Sequence, residues 1–144
     1  MSDLPPIDEL VPHSRPMILL DEVVAHEPDR VRCRLWLRPD SLFVSEGRVR
    51  AVIALEYMAQ AVAAYAGLRA RAAGVPVRIG FLLGTRELRL EIDHFDVGDE
   101  LLVEAVHVWG DEQLGSFLCT VLRGAVTVAT ATLKVYLARE GPRT

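Results

Sequence analysis

Residues 51–68, AVIALEYMAQAVAAYAGL, are apolar almost throughout, broken by the carboxylate of Glu56 and the amide of Gln60. Side chains four residues apart share a helical face, so these two polar groups lie on one side of a long helix. A helix that is apolar nearly all round must be covered on most of its sides, which demands a sheet wrapped about it. An ionised carboxylate inside an apolar core is costly unless it is hydrogen-bonded or neutralised. Glu56 is therefore either bound up structurally or kept for chemistry.

The helix is expected over about residues 51–72, stopped by AAGVP at 72–76, where a glycine is followed shortly by a proline. Its first 18 or so residues reach the length of a membrane span. Its many alanines, the internal Glu56 and the strand-like alternation elsewhere favour a core helix instead, and no membrane span is expected. Strands are expected at Met17–His26 and Arg30–Arg38. The second has Val31, Cys33, Leu35 and Leu37 on one face and Arg32, Arg34, Trp36 and Arg38 on the other. Residues 39–50 read as a loop. Four more strands are expected at about 78–92, 100–109, 113–122 and 125–138, separated by short turns containing glycine. With residues 1–16 as an irregular, proline-bearing lead-in, the 144 residues make one domain. The fold class is α+β, a curved antiparallel sheet of five to six strands around one central helix. The helix flank left uncovered and the open sheet edge point to a dimer.

Glu56 and Gln60 continue along the helix into Ala63 and Gly67, a stripe that is polar at its start and small beyond it. Small residues leave room for an acyl chain or for another stretch of backbone. The alternative is close helix–sheet packing, with Glu56 and Gln60 capping buried loop backbone. Among the histidines, His13 is held between Pro12 and Pro16 just before a strand, which suits either a positioned functional group or a surface residue of a turn. His26 and His107 read as structural, and His94 shows no partner at helical or strand spacing. No histidine spacing suits a metal, no serine lies in a nucleophile-elbow context and no glycines cluster into a phosphate loop. Neither a metal nor another cofactor is expected. The isolated Cys33 and Cys119 read as buried, reduced thiols of a cytoplasmic protein. A net charge of −4 gives no nucleic-acid footprint, and the acidic, proline-bearing start lacks the character of a signal peptide. Nearly all basic charge is arginine, with Lys134 the only lysine.

Three segments now carry a resemblance. PHSRPMILLDEV at 12–23, LEYMAQAVAAYAG at 55–67 and DHFDVGDEL at 93–101 resemble, in order, segments of β-hydroxyacyl-acyl-carrier-protein dehydratases. With GFLLGTREL at 80–88, they are most similar to a predicted 3-hydroxyacyl-ACP dehydratase subgroup of aryl polyene gene clusters. The resemblance implies a hotdog fold, usually dimeric, and a hydro-lyase that converts a 3-hydroxyacyl thioester into a trans-2-enoyl thioester. It places Glu56 at the catalytic acid position. It also implies an acyl carrier protein as partner, with a phosphopantetheine-linked chain, and assembly with itself or with a related hotdog subunit. The chain departs from the pattern at one point: the loop before the helix, LFVSEGRVR at 42–50, lacks the family's histidine that removes the α-proton.

His13 is the substitute base in this reading, with Val49 at the helix start and Gln60, Ala63 and Gly67 along the substrate path. A non-catalytic hotdog partner subunit and an acyl thioesterase stand as alternatives. Arg48, Arg50, Arg69, Arg71 and Arg78 flank the helix ends, where an acidic carrier protein would dock; a solvated rim is the alternative reading.

Overall fold

The computed structural model describes residues 4–11, 17–76, 80–111 and 113–137. One α-helix, α1 (Ala54–Ala72), packs across a six-stranded antiparallel sheet in the order β1 (Glu22–Glu27), β2 (Arg30–Trp36), β6 (Glu100–Gly110), β7 (Leu114–Arg123), β8 (Val126–Leu137), β4 (Gly80–Leu90). A separate two-stranded ribbon pairs β3 (Arg48–Arg50) with β5 (His94–Asp96). The expected architecture is present, with six strands in the main sheet.

The alternation at Arg30–Trp36 arises because β2 has one face on the core. Val31, Cys33 and Leu35 are buried beneath α1. Leu101, Val103 and Ala105 on β6 continue that floor, followed by Cys119 and Val121 on β7 and Ala131 and Leu133 on β8. Each fully buried leucine or valine contributes about 1.5–3 kcal/mol relative to exposure. Burial also pushes the thiols of Cys33 and Cys119 up to about 12, which makes both poor nucleophiles. On the outer face the charges pair across strands, Arg32 with Glu104 at 3.0 Å and Arg34 with Glu22 at 2.8 Å.

Helix α1 begins through a single 3-10 turn, Ala51–Ile53. It ends on Gly74 at φ 71°, where Val75 N donates to Ala70 O and Gly74 N to Arg71 O. That double bond pattern needs a left-handed residue, which glycine adopts without steric cost. By length and composition this helix could cross a membrane, but 61% of its most apolar window is buried inside the fold. Its remaining flank, Leu55, Ala59, Ala66 and Ala70, is only half-buried.

Two expectations need correction. The strand expected at Met17–His26 is shorter: residues 18–21 belong to no strand, although Asp21 N donates to Arg34 O at 2.9 Å, and β1 starts at Glu22. The loop expected over 39–50 contains β3, which exists through pairing with residues more than forty positions away.

Candidate functional site at the start of the central helix

The β3–β5 ribbon sets where α1 starts. Val49 and Phe95 sit opposite each other, are fully buried and turn inward, with Phe95 5.8 Å from the ring of Tyr57. Ala51 N donates to Asp93 O at 3.0 Å, fastening the first helical turn to the ribbon. Val49 is thus part of the support beneath the helix start. Arg50 and His94 pair on the opposite, outward face. His94 has a partner after all: Asp96, two residues on along the same strand face, lies 3.5 Å from its Nε2. The preceding loop is tightly folded, with Phe43 at φ 72° and Glu46 at φ 54°. Phe43 is exposed. Non-glycine residues adopt such angles at some cost in strain.

Glu56 lies in the first turn of α1, half-buried, and makes no hydrogen bond or ion pair among the described residues. Among the described residues nothing ties this carboxylate into the core. It sits at the rim of the fold, where the positive end of the helix favours a negative group.

Gln60, one turn further on, is fully buried and wholly committed. Its Oε1 accepts from Leu19 N and its Nε2 donates to Met17 O, both at 2.8 Å. The amide thus completes the backbone of a segment that belongs to no strand. Of the two readings of Gln60, the one that caps buried backbone matches this geometry. Gly67 has a similar explanation. A Cβ there would meet the carbonyl oxygen of Leu10 at 2.1 Å, so the small side chain admits another stretch of backbone. Ala63 lies between them, half-buried against the core. The stripe therefore divides: Glu56 is half-buried and unpartnered among the described residues, and at Gln60 and Gly67 the stripe meets residues 17–19 and 10. His13, expected as the base, lies outside the described residues, as does Arg78.

A concavity lies at the other end of α1, where no site was expected. It has a volume of about 230 Å³ and is walled by Val62, Tyr65 and Ala66 of the helix and by His107, Phe117 and Val135 of the sheet. The one signal in the sequence is the small-residue face Val62–Ala66–Ala70–Ala73 at helical spacing. Next to it, Tyr65 Oη donates to Pro28 O at 2.6 Å and Arg69 Nη1 to the same oxygen at 3.2 Å, clamping the β1–β2 turn onto α1. His26 packs edge-on against Tyr65. Burial, and then the nearby Arg69, hold the His26 imidazole below its ordinary value. No group of three or more His, Cys, Asp or Glu converges as a metal site among the described residues.

Of the five arginines expected to dock a partner, Arg48 lies 3.8 Å from Asp96, Arg71 3.6 Å from Glu9, and Arg69 is bonded to Pro28. Arg50, beside the helix start, is exposed and has no hydrogen bond or ion pair among the described residues.

Residues 5–142 match the ApeP-like family, described as ApeP dehydratase. No curated protein sequence matches the chain. Among solved structures, a chain of the dehydratase heterocomplex ApeI:P from Xenorhabdus doucetiae superposes with a TM-score of 0.91 at 27% identity, covering 95% of this chain and 93% of that one. The PaaI protein of the E. coli phenylacetic acid degradation operon superposes with a TM-score of 0.61 at 12% identity, over 80% of this chain and 81% of that one. A hypothetical thioesterase of Streptococcus pneumoniae gives 0.61 at 14%, over 83% and 91%. The last two share the fold.

Proposed function

Because the chain belongs to the ApeP-like dehydratase family, we propose that it serves a 3-hydroxyacyl-ACP dehydratase of aryl polyene type, with Glu56 as the acid and a related hotdog subunit as its partner. The observation that carries this reading is the state of Glu56: half-buried at a helix start and without a hydrogen bond among the described residues. Elimination requires a base to take the α-proton of the thioester while the β-carbon loses its hydroxyl. The electron pair of the broken C–H bond forms the new C=C bond, and the departing oxygen takes a proton from the Glu56 carboxyl to leave as water. Neither α1 nor the 3-10 turn before it has a side-chain cap, so backbone N–H groups of this first turn are suited to the charge growing on the thioester oxygen. The base comes either from His13 or from the partner subunit.

Strand β4 supports the two-subunit assembly. All eleven of its residues are exposed, including Phe81, Leu82 and Leu83, and its outer edge has no neighbouring strand among the described residues. An edge of that length and apolarity is normally covered by another chain. For the carrier protein, the exposed guanidinium of Arg50 beside the helix start is the strongest docking group, with Arg48 next to it.

A second reading, a subunit that shapes the partner's tunnel without chemistry of its own, is favoured by the loop before α1, which has no histidine. Incubation with a 3-hydroxyacyl-ACP, alone and with a related hotdog subunit, separates the readings. Enoyl product that falls at least 100-fold in Glu56→Gln supports the acid role. Product that needs the partner and survives Glu56→Gln selects the non-catalytic subunit. Loss in His13→Asn, without the partner present, identifies the base as internal. Release of free acid without enoyl product identifies a thioesterase.

A further inference from the structure

The cavity at the C-terminal half of α1 is distinct from the Glu56 stripe. At about 100° per residue, Val62, Ala66 and Ala70 face roughly a third of a turn away from Glu56, Gln60 and Gly67, and Ala66 lies about 15 Å further along the axis. We propose that this cavity is a second binding site, for a single-ring aromatic molecule bearing one hydrogen-bonding substituent.

Size and the rings of the wall point to such a ligand. An apolar cavity of about 150 Å³ accommodates benzene, so 230 Å³ takes one ring with a small substituent. Three rings line it together. Phe117 stands edge-on to Tyr65 at 5.5 Å, His107 stacks on Tyr65 at 6.3 Å, and His107 tilts against Phe117 at 5.1 Å. Such a cluster offers both faces and edges to an incoming ring. Gly115 keeps it open, because a Cβ there would come within 3.2 Å of Phe117 and 3.3 Å of His107. Val62, Ala66 and Val135 complete the apolar part of the wall, beside the polar Asp29, Arg69, Asp111 and Gln113 at its margin.

The polar group assigned to the ligand's substituent is the imidazole of His107, which belongs to the ring cluster itself. The Tyr65 hydroxyl and the Arg69 guanidinium are bonded to Pro28 O. The Asp111 carboxylate accepts from the backbone N–H groups of Gln113 and Leu114, and Asp29 is paired with Arg30. The imidazole of His107 makes ring contacts and lies within electrostatic reach of Asp29, but makes no hydrogen bond among the described residues, so its nitrogens are available to the substituent.

The test uses the full-length protein with phenol, benzene and cyclohexanol as probes, followed through the Tyr65, His107 and Phe117 ring resonances. Saturable shifts with phenol are expected, weakened about tenfold or more in Ala66→Leu and in Ala70→Leu, which fill the cavity from a helix that tolerates leucine. Two variants are used so that one failing to fold leaves the other. His107→Phe is expected to keep benzene binding while weakening phenol about tenfold. The proposal is overturned if phenol causes no saturable shift, or if affinity is unchanged in the folded leucine variants. Cyclohexanol binding as tightly as phenol would eliminate the aromatic requirement, and equal phenol affinity in His107→Phe would eliminate the hydrogen bond.

Discussion

The two margins of the sheet are built on opposite plans. On the β1–β2 side, inward residues are buried by α1 and outward ones pair with opposite charges, Arg32 with Glu104, Arg34 with Glu22 and Arg38 with Asp21. That margin is finished within one chain. On the β8–β4 side, β4 presents leucines and a phenylalanine to solvent on both faces. The lesson is that exposure in a single chain has two meanings. Charged exposure ends a structure, and apolar exposure along a strand edge marks where a second chain continues it.

The contrast can be broken most severely at β4. Replacing Leu82 with lysine, or Thr85 with proline, should convert the assembly into monomers, a shift of at least two orders of magnitude in dissociation constant by analytical ultracentrifugation. Persistence of the dimer in both variants would remove β4 from the interface. Next in size is Gln60→Ala, which removes the partner of both Leu19 N and Met17 O beside a buried helix position. The expected loss is about 2–4 kcal/mol in denaturant unfolding, at about 1–3 kcal/mol per unsatisfied group. Gly67→Ala should follow at about 1–3 kcal/mol, since its methyl group collides with the Leu10 carbonyl. Arg32→Ala on the finished margin should cost less than about 1 kcal/mol, because both members of its pair reach solvent.

A pH scan sharpens the comparison at the β1 margin. In the folded chain the His26 imidazole is held below its ordinary value of 6.5. Above 6.5 both folded and unfolded chains carry the neutral ring, and this group drains no stability. As pH falls below 6.5 the unfolded chain binds a proton first, so stability drops until the pH passes the lowered folded value. In His26→Gln the melting temperature should fall less steeply below pH 6.5 than in the parent; equal slopes would absolve His26.

The same contrast explains what could be read from the sequence. Strand β2 was legible because one face is buried and one is wet, which writes a two-residue period into Arg30–Trp36. Strand β4 was recognisable as a strand, but nothing in its composition revealed that all of it faces outward. Strands β3 and β5 are three residues each, less than the alternation needs, and exist through distant pairing. The Glu56–Gln60–Ala63–Gly67 stripe was visible from helical spacing, whereas the division of labour along it was not. Whether a small residue makes room for a ligand or for backbone depends on what approaches it, and here Leu10 does. The aromatic cavity gathers residues from separate segments, so no local pattern could announce it.

Gln60 has one more consequence, for how freely this chain can vary. It reads an N–H and a carbonyl, groups that belong to the peptide unit and not to any particular side chain. Positions 17 and 19 can therefore drift in identity while the clamp stays closed, subject to what their own side chains pack against. Proline at position 19 is the exception, because it alone lacks the N–H. Gln60 itself has no such freedom: glutamate offers no donor for Met17 O, and asparagine is one methylene too short to span the same gap.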